Sequence, residues 1–149
     1  LTEQRLYNDA DIIYKMAAKA TNSDSIIIYG KSLGTGIAAE LASRRHSQQL
    51  ILETPYYSLP HLAAFHFPIF PAQRMIRYKL PTFVFLGSVK APVTIFHGTR
   101  DAIIPYTHTR QLTDILKPGD RFITIKGGTH NDLPQYLQYQ QMMKQLLSR

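Results

Sequence analysis

The sequence predicts an α/β fold, a parallel sheet with helices on both faces, and three observations carry that expectation. Short aliphatic and β-branched runs alternate with helical patterns along the chain. The first such run, 26–29, passes without a spacer into Gly30-Lys31-Ser32-Leu33-Gly34 and then into an alanine-rich helical run. Reactive side chains recur just past the ends of the strand-like runs, where parallel sheets bind their ligands. Right-handed crossovers follow from that alternation. No internal repeat or linker divides the 149 residues, enough for one domain with its own core.

Each element has its own signal. Leu6, Ala10, Ile13, Ala17 and Ala20 recur at helical spacing, with Tyr7 and Tyr14 widening the stripe, so 2–20 reads as an amphipathic helix. A polar loop over 21–24 precedes the strand at 25–30. The helix after Gly34 is expected to run to about His46, with Arg44 and Arg45 suiting the negative end of its dipole. A second strand spans 49–53. The segment 54–82 breaks the alternation: five prolines punctuate a run containing Tyr56, Tyr57, Phe65, Phe67 and Phe70, followed by a basic stretch with Arg74, Arg77 and Lys79. It reads either as a cap of short helices over one end of the sheet or as an irregular excursion covering core. A helical turn at 83–89, a strand at 93–96, a helix from 105 to about 116 and a strand at 121–125 follow. The closing helix is marked by Leu133, Tyr136, Leu137, Gln140, Met143 and Leu147, with Pro134 in its first turn.

The turn at 30–34 carries the chemistry. Gly30, Ser32 and Gly34 give G-x-S-x-G on a strand-turn-helix, where a sharp turn holds the serine in a strained conformation above the sheet edge. Glycines two before and two after are expected to remove Cβ atoms that would collide where strand and helix pack. The N–H of Leu33 then points toward a developing oxyanion at the helix start. A P-loop ending in Gly30-Lys31-Ser32 fails, because its first glycine would fall on Ser25 and its loop would separate strand from Gly-Lys-Ser. The remaining alternative is an ordinary turn with an incidental serine.

A serine hydroxyl needs a base to take its proton, and an imidazole suits that task. His130 follows a Gly-Gly pair between the last strand and the last helix, in a loop expected to be flexible. His97 sits in a His-Gly-Thr-x-Asp context that suggests a turn-forming role. Asp101 is the favoured carboxylate to orient His130. Glu53, also at a strand end, is the alternative, with a buried acceptor of backbone N–H groups as its other reading. Asp132 is too near His130 in sequence to be preferred.

Composition bounds the rest. A net charge of +7 and a pI near 9.7 permit attraction to anionic surfaces, but the 17 Lys and Arg are dispersed, so no nucleic-acid partner is expected. With no cysteine, a disulfide scaffold, a cysteine nucleophile and thiolate metal sites are excluded. No apolar run has transmembrane length. The chain opens on Leu1, so a targeting segment could precede it, and the cytoplasm is only a default compartment.

Ser32, Asp101 and His130 occur in the chain order of one hydrolase superfamily. With Leu52-Glu53-Thr54-Pro55, His97-Gly98-Thr99-Arg100-Asp101, Ile104-Pro105 and Gly128-Thr129-His130-Asn131-Asp132, the sequence resembles the α/β-hydrolases. It is most similar to the branch with protein-depalmitoylating and related small serine hydrolases. The resemblance implies cleavage of carboxylic esters or thioesters through an acyl-enzyme on Ser32, with no metal or organic cofactor. A peptidase of the same fold and a non-catalytic hydrolase-fold binding module are the alternatives. Tyr56, Tyr57, Phe65 and Phe67 are the expected substrate-pocket residues. The family sheet has eight strands, and its second oxyanion donor follows the third. The four strands here resemble the last four. The resemblance therefore implies a C-terminal portion whose partner is the N-terminal part of the same protein, and which alone has little activity.

Overall fold

A computed structural model describes residues 2–69, 71 and 76–148. The helix α1 (Glu3–Ala20) starts where the Thr2 side chain accepts the Arg5 N–H. A 3₁₀ turn, Ser23–Ser25, capped by the Asn22 side chain, delays the first strand, so β1 is Ile27–Lys31 rather than 25–30. Then come α2 (Gly34–Arg44), β2 (Gln49–Glu53), α3 (Leu59–His66), α4 (Thr82–Leu86), β3 (Val93–Gly98), α5 (Tyr106–Arg110), β4 (Arg121–Ile125) and α6 (Leu137–Leu147).

All strand pairs are parallel, in the order β1-β2-β3-β4, with Lys31 opposite Glu53, Glu53 opposite Phe96 and Gly98 opposite Ile125. Alternation along the strands divides the core. Leu50, Leu52, Val93 and Ile95 join Ala38, Ala39, Leu41 and Leu86 in one cluster; Ile51, Phe96 and Ile125 join Leu133, Tyr139 and Leu146 in another. Both sheet faces are therefore covered, and this is why the strands read as continuous apolar runs. Truncating Leu52, fully buried, to alanine costs about 2–5 kcal/mol on the usual scale for core leucines. The helix α1 is tied to the end of α2 by Arg45, which donates to both Asp11 carboxylate oxygens at 2.6 and 3.1 Å.

Three helical expectations are shortened. The helix after the elbow stops at Arg44, where Arg45 turns extended. The run from 105 is one α-turn, Tyr106–Arg110, continued as 3₁₀ over Gln111–Ile115. The closing helix is broken: Leu133–Gln135 is 3₁₀, Tyr136 is extended at φ −85°, ψ 131°, and only then does α6 begin.

Among its described residues the segment 54–82 holds the short helix α3, whose N-cap Ser58 accepts the His61 N–H and whose first turn carries Pro60. It is joined to the sheet end through His66 Nε2, which donates to the Ile103 carbonyl at 2.8 Å. Phe70 and Arg74, expected in the cap, lie outside the described residues.

Candidate active site

The end of β1 is bent sharply. Ser32 has φ +48°, a left-handed conformation costly for any residue with a Cβ, and its N–H donates to the Glu53 carbonyl at 2.9 Å. Gly30 makes the bend possible: a Cβ there would lie 2.6 Å from Ala38 Cβ and 2.7 Å from the Gly34 carbonyl. Gly34 does not share that reason, since a Cβ at Gly34 would meet nothing within 4 Å. The second close approach is at Gly36, where a Cβ would collide with the Tyr56 hydroxyl. Leu33 is the N-cap of α2 and half exposed; its amide is among those a helix N-terminus leaves without an intrahelical partner.

Asp101 and His130 come from the ends of β3 and β4, held together by glycine. A Cβ on Gly98 would overlap the Gly128 backbone, and the Arg100 N–H donates to the Gly128 carbonyl at 2.8 Å. The loop before His130 is thus packed rather than free, a constraint that Gly-Gly in the sequence does not disclose. Asp132 fixes its far side by accepting the Thr129 N–H at 2.6 Å.

These loops bring three side chains into one line. His130 Nδ1 lies 2.8 Å from Asp101 Oδ2, and His130 Nε2 lies 2.9 Å from Ser32 Oγ. A carboxylate only accepts, so Nδ1 carries the hydrogen and Nε2 is left to accept from the serine hydroxyl. Asp101 is itself oriented: its Oδ1 accepts the N–H groups of Ile103 and Ile104 at 2.9 and 2.8 Å. Asp101 and His130 are buried, with His130 retaining 7 % of its surface. The arrangement can move a proton from the serine to an imidazole whose tautomer is fixed by a carboxylate.

A family model described as an alpha/beta hydrolase domain matches residues 4–148. The chain belongs to the α/β-hydrolase family. An uncharacterized protein of Mycobacterium tuberculosis (strain ATCC 25618 / H37Rv) is 32 % identical over 133 residues, covering 88 % of this chain and 47 % of the relative. Human alpha/beta hydrolase domain-containing protein 17C is 29 % identical over 151 residues, covering 99 % of this chain and 44 % of the relative. The chain spans about half the length of the curated relatives it matches. Among solved structures, the acetyl xylan esterase from Paenibacillus sp. R4 superposes at a TM-score of 0.77 with 15 % identity, covering 97 % of this chain and 52 % of the esterase. That likeness is one of fold.

The hydrogen-bond partners separate the competing residues. Glu53 is not beside His130 in the hydrogen-bond network. Its Oε2 accepts from the hydroxyls of Tyr29 and Tyr139, both at 2.6 Å, and Lys31 Nζ lies 2.8 Å from Oε1. It is a buried acceptor, but its side-chain partners are two tyrosines and a lysine rather than backbone N–H groups. Burial alone would raise its carboxyl; the Lys31, Tyr139 and Tyr29 donors outweigh burial and hold it below the usual carboxylate range. His97 is fully buried and donates from Nε2 to the Ile104 carbonyl at 2.8 Å, and burial pushes its pKa down. Through Ile104 it supports the loop whose amides hold Asp101.

The aromatic residues expected to form a pocket part company. Tyr56 is 1 % exposed and sits in the core against Tyr7, Leu80 and Ile104, its hydroxyl donating to the Leu33 carbonyl at 3.0 Å. It supports the elbow from below and has no surface to offer a ligand. Tyr57 stacks on Phe83 with centroids 4.3 Å apart and is half-buried. Phe65 and Phe67 are exposed at the end of α3.

Proposed function

We propose that this chain carries the nucleophile, base and acid of a serine hydrolase acting on carboxylic esters or thioesters. The observation that supports it is the continuous Ser32–His130–Asp101 hydrogen-bond line at the carboxyl end of the sheet. In this reading Ser32 Oγ attacks the acyl carbonyl as its proton passes to His130 Nε2. The resulting oxyanion faces the Leu33 N–H, which the positive end of α2 reinforces. Collapse expels an alkoxide or thiolate leaving group, which takes the proton from Nε2, and leaves the acyl group on Ser32. Water then attacks, giving its proton to Nε2. The second collapse returns the proton to Ser32 Oγ and releases the carboxylic acid. Throughout, Asp101 holds the Nδ1–H and stabilises the imidazolium.

The exposed Phe65 and Phe67 favour an apolar acyl group. In a series of esters differing only in acyl length, the best rate is expected above acetate; a maximum at acetate overturns this part.

The relatives are about twice this chain's length, and we further propose that a preceding segment of the full-length protein pairs along the open edge of β1 and supplies the second oxyanion donor. The deciding experiment uses full-length protein and a fluorophosphonate probe. Labelling that is lost in Ser32→Ala, with the fold retained, is the expected result; undiminished labelling of that variant refutes the assignment.

A further inference from the structure

We propose that Thr35 is a positioning residue for the oxyanion donor, its hydroxyl fixing and polarising the Ser32–Leu33 peptide; this rests on the serine-hydrolase reading above. The C=O of Ser32 and the N–H of Leu33 belong to one planar unit and point in opposite directions, so whatever orients the carbonyl aims the amide. Thr35 Oγ1 donates to the Ser32 carbonyl at 2.6 Å, and the Thr35 N–H donates to the same oxygen at 3.0 Å.

The need for two donors follows from the elbow. Ser32 is in the left-handed region, and the peptide that follows it has left the sheet ladder without yet entering the helix. Strained backbone of this kind persists only where neighbours over-determine it. Thr35 suits the task because it is fully buried, so water does not compete for its hydroxyl. Its branched Cβ also limits the rotamers available.

Position is half of the effect. Donation to an amide oxygen draws electron density from the amide nitrogen and makes the N–H on the same unit a stronger donor, the usual sense of cooperative hydrogen bonding in a low-dielectric site. The benefit grows as negative charge develops on the substrate oxygen. It should therefore appear in the transition state and in its analogues, and hardly at all in ground-state binding.

The test compares Thr35→Val, which keeps the shape and removes the hydroxyl, with Thr35→Ser, which restores it, in full-length protein. Thr35→Val is expected to lower kcat of the folded protein roughly three- to tenfold, the range for one net hydrogen bond, with KM little changed and the melting temperature lowered by a few degrees. The inhibition constant of a boronic acid or trifluoromethyl ketone that forms a tetrahedral adduct on serine should rise by the same factor. Thr35→Ser should recover most of the loss. Wild-type kcat in Thr35→Val, an unchanged analogue constant, or an equal loss in Thr35→Ser overturns the proposal. If Thr35→Val does not fold, Thr35→Ala takes its place. Failure of both to fold beside a fully active Thr35→Ser makes the hydroxyl purely structural, and also overturns it. Activity surviving in Ser32→Ala would end the serine-hydrolase reading itself. An inactive Ser32→Ala beside an unaffected Thr35→Val would end only this inference.

Discussion

The hydroxyl of Tyr139 on α6 donates to Glu53 Oε2 at 2.6 Å, tying the last helix to the end of a strand 86 residues earlier. Tyr29 donates to the same oxygen, and Lys31, next to the proposed nucleophile, pairs with the other. A buried carboxylate with these donors is a structural knot, and removing one donor leaves the buried charge with fewer hydrogen bonds. Tyr139→Phe is expected to cost about 1–3 kcal/mol in urea unfolding. Glu53→Gln is expected to cost at least as much, while its folded fraction keeps turnover within an order of magnitude of the parent. A variant folded as well as the parent would show that the knot is not stabilising.

Asp101 should behave in the opposite way. Asp101→Asn offers His130 Nδ1 an amide in place of a carboxylate, so the tautomer is no longer fixed, and a loss of about 10⁴ in kcat is the precedent for that role. Circular dichroism and turnover measured on Asp101→Asn and Glu53→Gln together assign the acid. Activity retained in the first and lost in a folded form of the second would reverse the assignment.

His108 sets a pH dependence. It is buried, its Nε2 accepts the Tyr57 N–H at 3.1 Å, and burial, with smaller repulsion from His61, His97 and His66, pushes it down to about 4 from 6.5. The folded state therefore binds fewer protons than the unfolded chain between those values. Stability is complete above about pH 6.5, declines as the pH falls, and levels off near pH 4. The full loss is on the order of 3 kcal/mol. His108→Gln, whose amide oxygen can still accept from Tyr57, should flatten this part of the profile in melting experiments. An unaltered slope would place the titration elsewhere.

The edge of β1 makes a further prediction. Ile13 and Tyr29 are exposed on or beside it, and an apolar groove lined by Ala10, Tyr14, Ile26 and Leu41 runs between α1 and the strand. Unpaired strand edges next to apolar side chains template association. On the proposal that a preceding segment supplies the second oxyanion donor, a polypeptide of residues 1–149 alone is expected to sediment as oligomers and to turn over esters poorly. A monomer as fast as full-length protein would contradict both parts.

Much of this architecture is local chemistry and so was legible in the sequence. Continuous apolar runs gave parallel strands buried on both faces, and G-x-S-x-G on a strand-turn-helix marked Ser32, because a sharp bend between tightly packed elements demands glycine at Gly30. The order Ser32, Asp101, His130 could be read because each follows a strand, and parallel strands deliver their ends to one side.

Other features depended on contacts between distant residues. Gly34 and Gly36 look alike in sequence, yet only Gly36 is pressed against Tyr56, and that tyrosine is core rather than pocket. Asp101 and Glu53 both sit at strand ends, and what distinguishes them is which neighbours each side chain meets. His130, 29 residues further on, closes on Asp101, whereas Tyr29, Tyr139 and Lys31 close over Glu53. Sequence determines which side chains can donate and accept; only the packed chain decides which of them meet, because hydrogen bonds act over about 3 Å and the partners lie tens of residues apart.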